Sequence, residues 1–468
     1  MAWTVFTFPL PRLLSGLLYS CLLCAGLALP ATAANVTAGA EPCDFALDGP
    51  IEAGDVDKLA AFRSDPDLWR KDGRYWEPTL CLNSPGGNLA EGGKIARFVY
   101  DTGLQTRIGD GAICHSVCAI VFMMGNRHSG PTTVEQTRTL HVGGDLAFQS
   151  PSFSTDDTRH AEAPELRQAY QQGVNGILTF LRLANAQRPF ETGGMIHPGL
   201  FEAMLDTPPD ALFHITTIEQ ALSWEIGLEG VPQHLPPVAT QRQMVCENGL
   251  MRGFRRPSEI FDRSDNNFMT QAVFRLRPLS TTAQYRLLPE YDPEELAQGV
   301  VYGFRYWDLP VECRVRIDSG AVAVCGRDAY HNHSVGDCED DTLVPLPDHA
   351  RYHPLTEFRA LERSGIAADV LREARCTLHD GSGKVLRSDS CMQAIDIFQR
   401  GDRKFARHSL HWPDGAPGTI EISTRPTFGV DEAPDIYRVD GAEAAPKGED
   451  GTCLRIAAQD QVICVTAP

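Results

Sequence analysis

Residues 80–125 read LCLNSPGGNLAEGGKIARFVYDTGLQTRIGDGAICHSVCAIVFMMG, and the fold turns on this stretch. A buried-looking run, Pro78 to Leu82, meets Pro85 and the adjacent pair Gly86–Gly87, after which NLAEGGKIARFVYDTG has the pattern of a helix. TRIGDG then reads as the end of a second strand, and SVCAIVFMMG as a buried helix entered at Ser116. The glycines do not form a phosphate cradle. Gly93-Lys94 is followed by Ile95 rather than Ser or Thr, and the dinucleotide fingerprint is absent because Gly86 and Gly87 are adjacent. Adjacent glycines after a strand expose backbone N–H groups, since no Cβ shields them, although most such pairs are plain turns.

Further along, Ser116 at a helix entry stands where free N–H groups and the macrodipole favour an anion. By itself it reads as an N-cap. Some 25 residues on, the strand-like TRTLHV carries His141, an imidazole of the kind that takes a proton from a serine hydroxyl. Loop, serine and histidine in this order resemble the Clp protease proteolytic subunit and its crotonase-like relatives, notably exported bacterial serine peptidases. The resemblance covers residues 43–230 and rests on DFALDGPIEAGD, on the stretch quoted above and on TLHV. It implies an α/β layered domain, Ser116 as nucleophile, His141 as general base, and Gly86 or Gly87 with Val117 as oxyanion-hole N–H donors. It also implies a third, acidic member in LDTPPD, best matched by Asp206, with Asp210 as the alternative. No cofactor is implied. The substrate or partner is a peptide or protein, and the ring assemblies common in the family make a homo-oligomer possible. A non-catalytic binding or assembly protein on the same fold is the competing expectation.

The rest of the chain sets the context. A net charge of −19 excludes sequence-independent nucleic-acid binding. Residues 1–33 have a positive flank at Arg12, an apolar run and the small-residue end Ala31-Thr32-Ala33. This is the form of a signal peptide directing a protein to the periplasm or the exterior, with no later membrane span. Loss of Cys21 and Cys24 with that segment leaves twelve of the fourteen cysteines, an even number in an oxidising compartment. The hairpin-like brackets predict Cys313–Cys325, Cys376–Cys391 and Cys453–Cys464, with Cys246–Cys338 by elimination. Cys114 and Cys118 are candidates for a bridge beside Ser116, while pairings that involve Cys43 and Cys81 stay open.

Residues 231–243, rich in Pro and Gln, read as a linker. Residues 244–345 read as an irregular, cysteine-bearing β region, and 346–468 as a small disulfide-stapled β-rich domain that begins with a helix in LTEFRALERSGIAADVLREA. The polar run Tyr330 to Asp341 matches no defined metal pattern and reads as a solvated loop.

Overall fold

The computed structural model describes residues 34–63, 70–71, 74–75, 78–128, 134–150, 163–186, 194–231, 235–236, 238–251, 273–278, 296–302, 311–318, 321–327, 334–335, 343–364, 368, 370–400, 403–415, 417–424, 436–447 and 452–466. The fold is mixed α/β with several sheets and a β-rich C-terminal region. The expected signal segment and most of the Tyr330–Asp341 run lie outside the described residues.

The first sheet has six strands in the order Asn35–Ala38, Phe45–Asp48, Thr79–Asn83, Gln105–Ile108, Arg138–His141 and Gly227–Glu229. Only the first pair is antiparallel; the other four pairings are parallel. Parallel neighbours require crossovers, which here are helices. Leu89–Thr102 is one of them. Asn88 caps its start by accepting from the Glu91 N–H, and Gly103 ends it in the left-handed region at φ 69°.

A second, three-stranded sheet carries Phe213–His214, Asp145–Phe148 and Ile113–His115 in that order. Its strand Ile113–His115 leads directly into the fully buried helix Val117–Met123. The end of that helix is fixed by the buried side chain of Arg138. Its guanidinium donates to the carbonyls of Met123 (2.5 Å), Met195 (2.8 Å), Trp224 (2.7 Å) and Glu225 (3.1 Å). One side chain thus satisfies the orphan carbonyls of two helix ends.

The long helix Ala163–Ala184 differs from the expected orientation. The sequence pattern puts Leu166, Tyr170, Val174, Ile177, Phe180 and Leu181 on one buried face. The structure buries Phe180, Leu183 and Ala184 and leaves Tyr170, Val174, Leu178 and Leu181 exposed. The stripe drawn from the periodicity straddles the real boundary by about one position.

The linker expected at 231–243 is shorter than read, because helix Val238–Met251 already occupies its second half. That helix packs on an antiparallel sheet built from Val273–Pro278, Leu296–Tyr302, Val311–Asp318, Ala321–Arg327 and two short strands. A single apolar core runs from Leu80 and Phe122 through Trp224 and Val245 to Val315 and Val324, so this region is continuous with the N-terminal domain.

The C-terminal part is a closed barrel of eight antiparallel strands. It runs from Val370–Asp380 to Gln461–Thr466, which pair to close it around Ile395, Trp412 and Ile420. The helix expected over 355–374 is confined to Phe358–Ser364, and VLREA opens the first barrel strand. There, pairing of Val370–Ala374 with Cys391–Ile395 of the next barrel strand overrides a helical local pattern.

Disulfides join Cys43–Cys81, Cys114–Cys118, Cys246–Cys313, Cys376–Cys391 and Cys453–Cys464, and Cys325 is also disulfide-bonded. The expected Cys313–Cys325 and Cys246–Cys338 pairs are therefore corrected. Cys313 stands opposite Gly326 while Arg314 stands opposite Cys325, so the two cysteines are one step out of register and point to opposite faces. Helix Val238–Met251 supplies the partner for Cys313 instead.

Candidate functional site

The strand Thr79–Asn83 continues through Ser84, which makes a parallel bridge with Cys114, and the chain then swings away through Gly86 and Gly87. This swing needs glycine. Gly86 has φ 98°, and a Cβ on it would lie 2.8 Å from the His115 carbonyl oxygen and from Ser116 Cβ. Gly87 has φ 142°, and a Cβ there would meet the Ile51 carbonyl oxygen at 2.3 Å. Gly87→Ala is therefore expected to lower stability by about 1–3 kcal/mol through overpacking against fixed backbone, read as a drop in the unfolding midpoint. A side chain at this position is not a surface change that spares the fold.

The two glycines differ in what they offer. The Gly86 N–H donates to buried Ser84 Oγ at 3.1 Å, and its carbonyl accepts from Ile51 N. Ile51 bonds to the residues on either side of Gly87, at Gly86 O and Asn88 N, which leaves the Gly87 N–H on the opposite edge. Among the described residues, that N–H has no hydrogen-bond partner. The Ile51 segment is itself anchored by buried Glu91, which accepts from Gly54 N and Val56 N, both at 3.0 Å. Burial pushes the Glu91 carboxyl up, but the Val56 N–H, Lys94 and the Gly54 N–H outweigh it and leave the group below its ordinary value.

Ser116 joins strand to helix with φ 55° and ψ −124°, a conformation that L side chains rarely adopt. Its N–H donates to Ala147 O at 3.0 Å, and its hydroxyl makes no capping bond. The next N–H, that of Val117, is the first of the helix and has no partner among the described residues. The Cys114–Cys118 bridge spans this elbow from strand to helix, as the sequence candidates indicated. A strained serine followed by the unengaged Val117 N–H, beside a glycine turn whose Gly86 packs against Ser116 and whose Gly87 N–H is also unengaged, is a geometry that can receive the oxygen of a carbonyl or carboxylate.

The structure does not bring His141 to Ser116. The turn after His141 docks on the loop before strand Ile113–His115: Gly111 N donates to Gly143 O, and Asp145 N to Ala112 O. His141 thus lies at the entry of that strand and Ser116 at its exit, about 10 Å of extended chain away. Its Nδ1 accepts from the Gly143 N–H at 3.1 Å and stands 3.6 Å from Asp110, while its Nε2 faces Gly230.

The strand that does run beside Ser116 is Asp145–Phe148, and the residue at its end is Gln149. The period-two alternation puts Gln149 on the face shared by Asp145 and Ala147. Its amide Nε2 donates to Pro209 O at 3.0 Å, which sets exposed Asp210 next to it in the chain. Asp206 is instead the last residue of helix Pro198–Asp206. Of the two acids weighed from the sequence, Asp210 is the one adjacent to this strand end. Gln149 was missed because glutamine carries no chemical signal. Only the spacing Asp145, Ala147, Gln149 along a strand would have found it.

The same face gathers a second cluster. Asp145 Oδ2 is 3.0 Å from His115 Nε2, and its Oδ1 is 2.9 Å from both His214 Nδ1 and Arg359. The His214 hydrogen bond is the largest influence and, with His115 and the Arg359 charge, holds the Asp145 carboxyl well below the usual carboxylate range, against the opposing effect of burial.

No protein-family model matches the chain, and no curated protein matches it. Among solved structures, a point mutant of ClpP1 from Listeria monocytogenes is similar to this chain at 12% identity. The match covers 39% of this chain and 89% of that one, with a TM-score of 0.26. No helix among the described residues is long and apolar enough to cross a membrane.

Proposed function

We propose that this chain is an exported peptide-binding protein with a Clp/crotonase-like N-terminal domain. Its Ser116 site receives a peptide carbonyl or carboxylate without hydrolysing a bond. The observation that carries this reading is the strand beside Ser116, whose end residue is Gln149, bonded through its amide to Pro209 O, and not a histidine. An amide does not accept a proton near neutral pH, so the serine hydroxyl there lacks activation. The Gly87 and Val117 N–H groups remain as donors to a bound oxygen. Export is supported by the form of residues 1–33 and by the disulfides, which belong to oxidising compartments. The cysteine-bearing sheet and the barrel fit a role in holding a partner.

One observation favours the alternative, a serine peptidase: the backbone strain at Ser116, of the kind retained at nucleophiles on strand-to-helix turns. Labelling the mature, disulfide-intact protein with a fluorophosphonate separates the two. The binding reading expects no more adduct on wild type than on Ser116→Ala, together with calorimetric binding of short N-acylated peptides. Rapid stoichiometric labelling at Ser116 overturns it in favour of the peptidase.

A further inference from the structure

We infer that His115, Asp145 and His214 form a binding site for a divalent transition metal of the zinc class. Three neighbouring strands supply the three side chains. His115 and His214 lie opposite Ala147 from either side, and Asp145 is two residues before Ala147 on the same strand. The register therefore directs all three to one face of a sheet, whose backbone hydrogen bonds fix their separation. Their donor atoms lie within 4.8 Å of one another, and the two histidines flank the carboxylate at 3.0 and 2.9 Å. Ligands about 2.0–2.2 Å from a tetrahedral ion are spaced at about 3.3–3.5 Å, so small side-chain rotations accommodate one.

The donor set is borderline rather than hard. Two imidazoles and a single carboxylate suit zinc, cobalt or nickel over calcium or magnesium, which require more oxygens. Arg359 bonds to Asp145 Oδ1 and leaves Oδ2 to face the ion, the arrangement by which an outer partner orients a ligating carboxylate. Its positive charge opposes the cation, so affinity is expected below that of a site without it. His214 is 40% exposed, which provides an entry path and leaves room for water or a ligand on the ion. His115 adjoins Ser116, and a metal here would sit beside the peptide site, but the inference does not depend on that site's function.

The test is titration of the untagged, chelator-treated mature protein with Co²⁺, followed by the visible absorption of the ion and by calorimetry. Wild type is expected to bind one ion with a histidine-type spectrum that Zn²⁺ displaces. His214→Ala, a change at a partly exposed position, is expected to weaken binding about 100-fold or more with an unchanged thermal midpoint. His115→Ala and Asp145→Asn are expected to weaken binding at least as much, because loss of a ligand exceeds the 10–100-fold effect of losing an outer partner. Only His214→Ala is expected to leave the midpoint unchanged, since Asp145 also holds Arg359 and both histidines. Wild type that binds no Co²⁺, or His214→Ala that binds it as wild type does, overturns the site.

Discussion

Replacing Gln149 by histidine is expected to raise fluorophosphonate labelling of Ser116 by about 10²–10⁴-fold, the contribution of a positioned general base. The strand Asp145–Phe148 is held on one side by Ile113–His115 and on the other by Phe213–His214, so its end is fixed relative to Ser116. An imidazole at position 149 is close in length to the glutamine amide it replaces. It would face the serine with one nitrogen and the Pro209–Asp210 turn with the other, where a carboxylate stabilises the developing imidazolium. The double variant Gln149→His with Ser116→Ala is expected to show no adduct. If Gln149→His labels no faster than wild type while keeping its thermal midpoint, residue 149 is not beside the hydroxyl and the account of the site is wrong. The mirror experiment, His141→Ala, is expected to leave Ser116 chemistry unchanged, because His141 is at the opposite end of the strand.

Acid is expected to destabilise the protein steeply between about pH 6.5 and 3. His349, His353 and His408 are almost fully buried, and burial pushes each imidazole down to about 3, with the Arg372 charge adding to the effect at His353 and His408. Their surroundings suit neutral rings. The Leu355 N–H donates to His353 Nδ1, Gln393 Nε2 meets His408 Nδ1 at 2.6 Å, and among the described residues Nε2 of His349 and of His408 has no partner. In the unfolded chain these rings protonate near 6.5, so below that pH the unfolded state binds more protons than the folded one. Stability is fully present above about 6.5 and declines as pH falls toward 3. The decline approaches about 1.4 kcal/mol per pH unit for each ring. His353 directly precedes Pro354, whose carbonyl, like that of Thr356, accepts from the helix start at Glu219 N and Ile218 N, so protonation of His353 acts at the joint between the N-terminal region and the barrel. Urea midpoints from pH 7 to 5 in wild type and His408→Gln measure this. A slope that the substitution leaves unchanged rules out His408 as a contributor.

What was legible in the sequence was what local chemistry dictates. The apolar run before Gly86, the helix after it and the buried helix at Ser116 follow from periodicity and turn residues, and each is present. Pairings between distant segments were less legible. TRTLHV reads as a short strand, but only tertiary structure shows that Asp145–Phe148, and not that strand, lies beside Ser116. His141 attracted the assignment because histidine is chemically conspicuous. The cysteine pairs divide in the same way. Cys453 and Cys464 face each other directly, whereas one step of register turned Cys313 away from Cys325 toward a helix much earlier in the chain. Asp145 and its two histidines come from three strands far apart in the chain, and no spacing announces them.

Among the described disulfides, the smallest ring encloses Ser116. Cys114 and Cys118 are only 4 residues apart, against 67 for Cys246 and Cys313. On loop-closure grounds the short ring restricts the unfolded chain by about 2 kcal/mol and the long one by about 4. The small ring is therefore a poor staple for the molecule and an effective jig for one residue. It holds the strand exit and the helix entry at the separation that Ser116, at φ 55°, has to span. The geometry at Ser116 is thus tied to a bond that forms only where thiols can be oxidised.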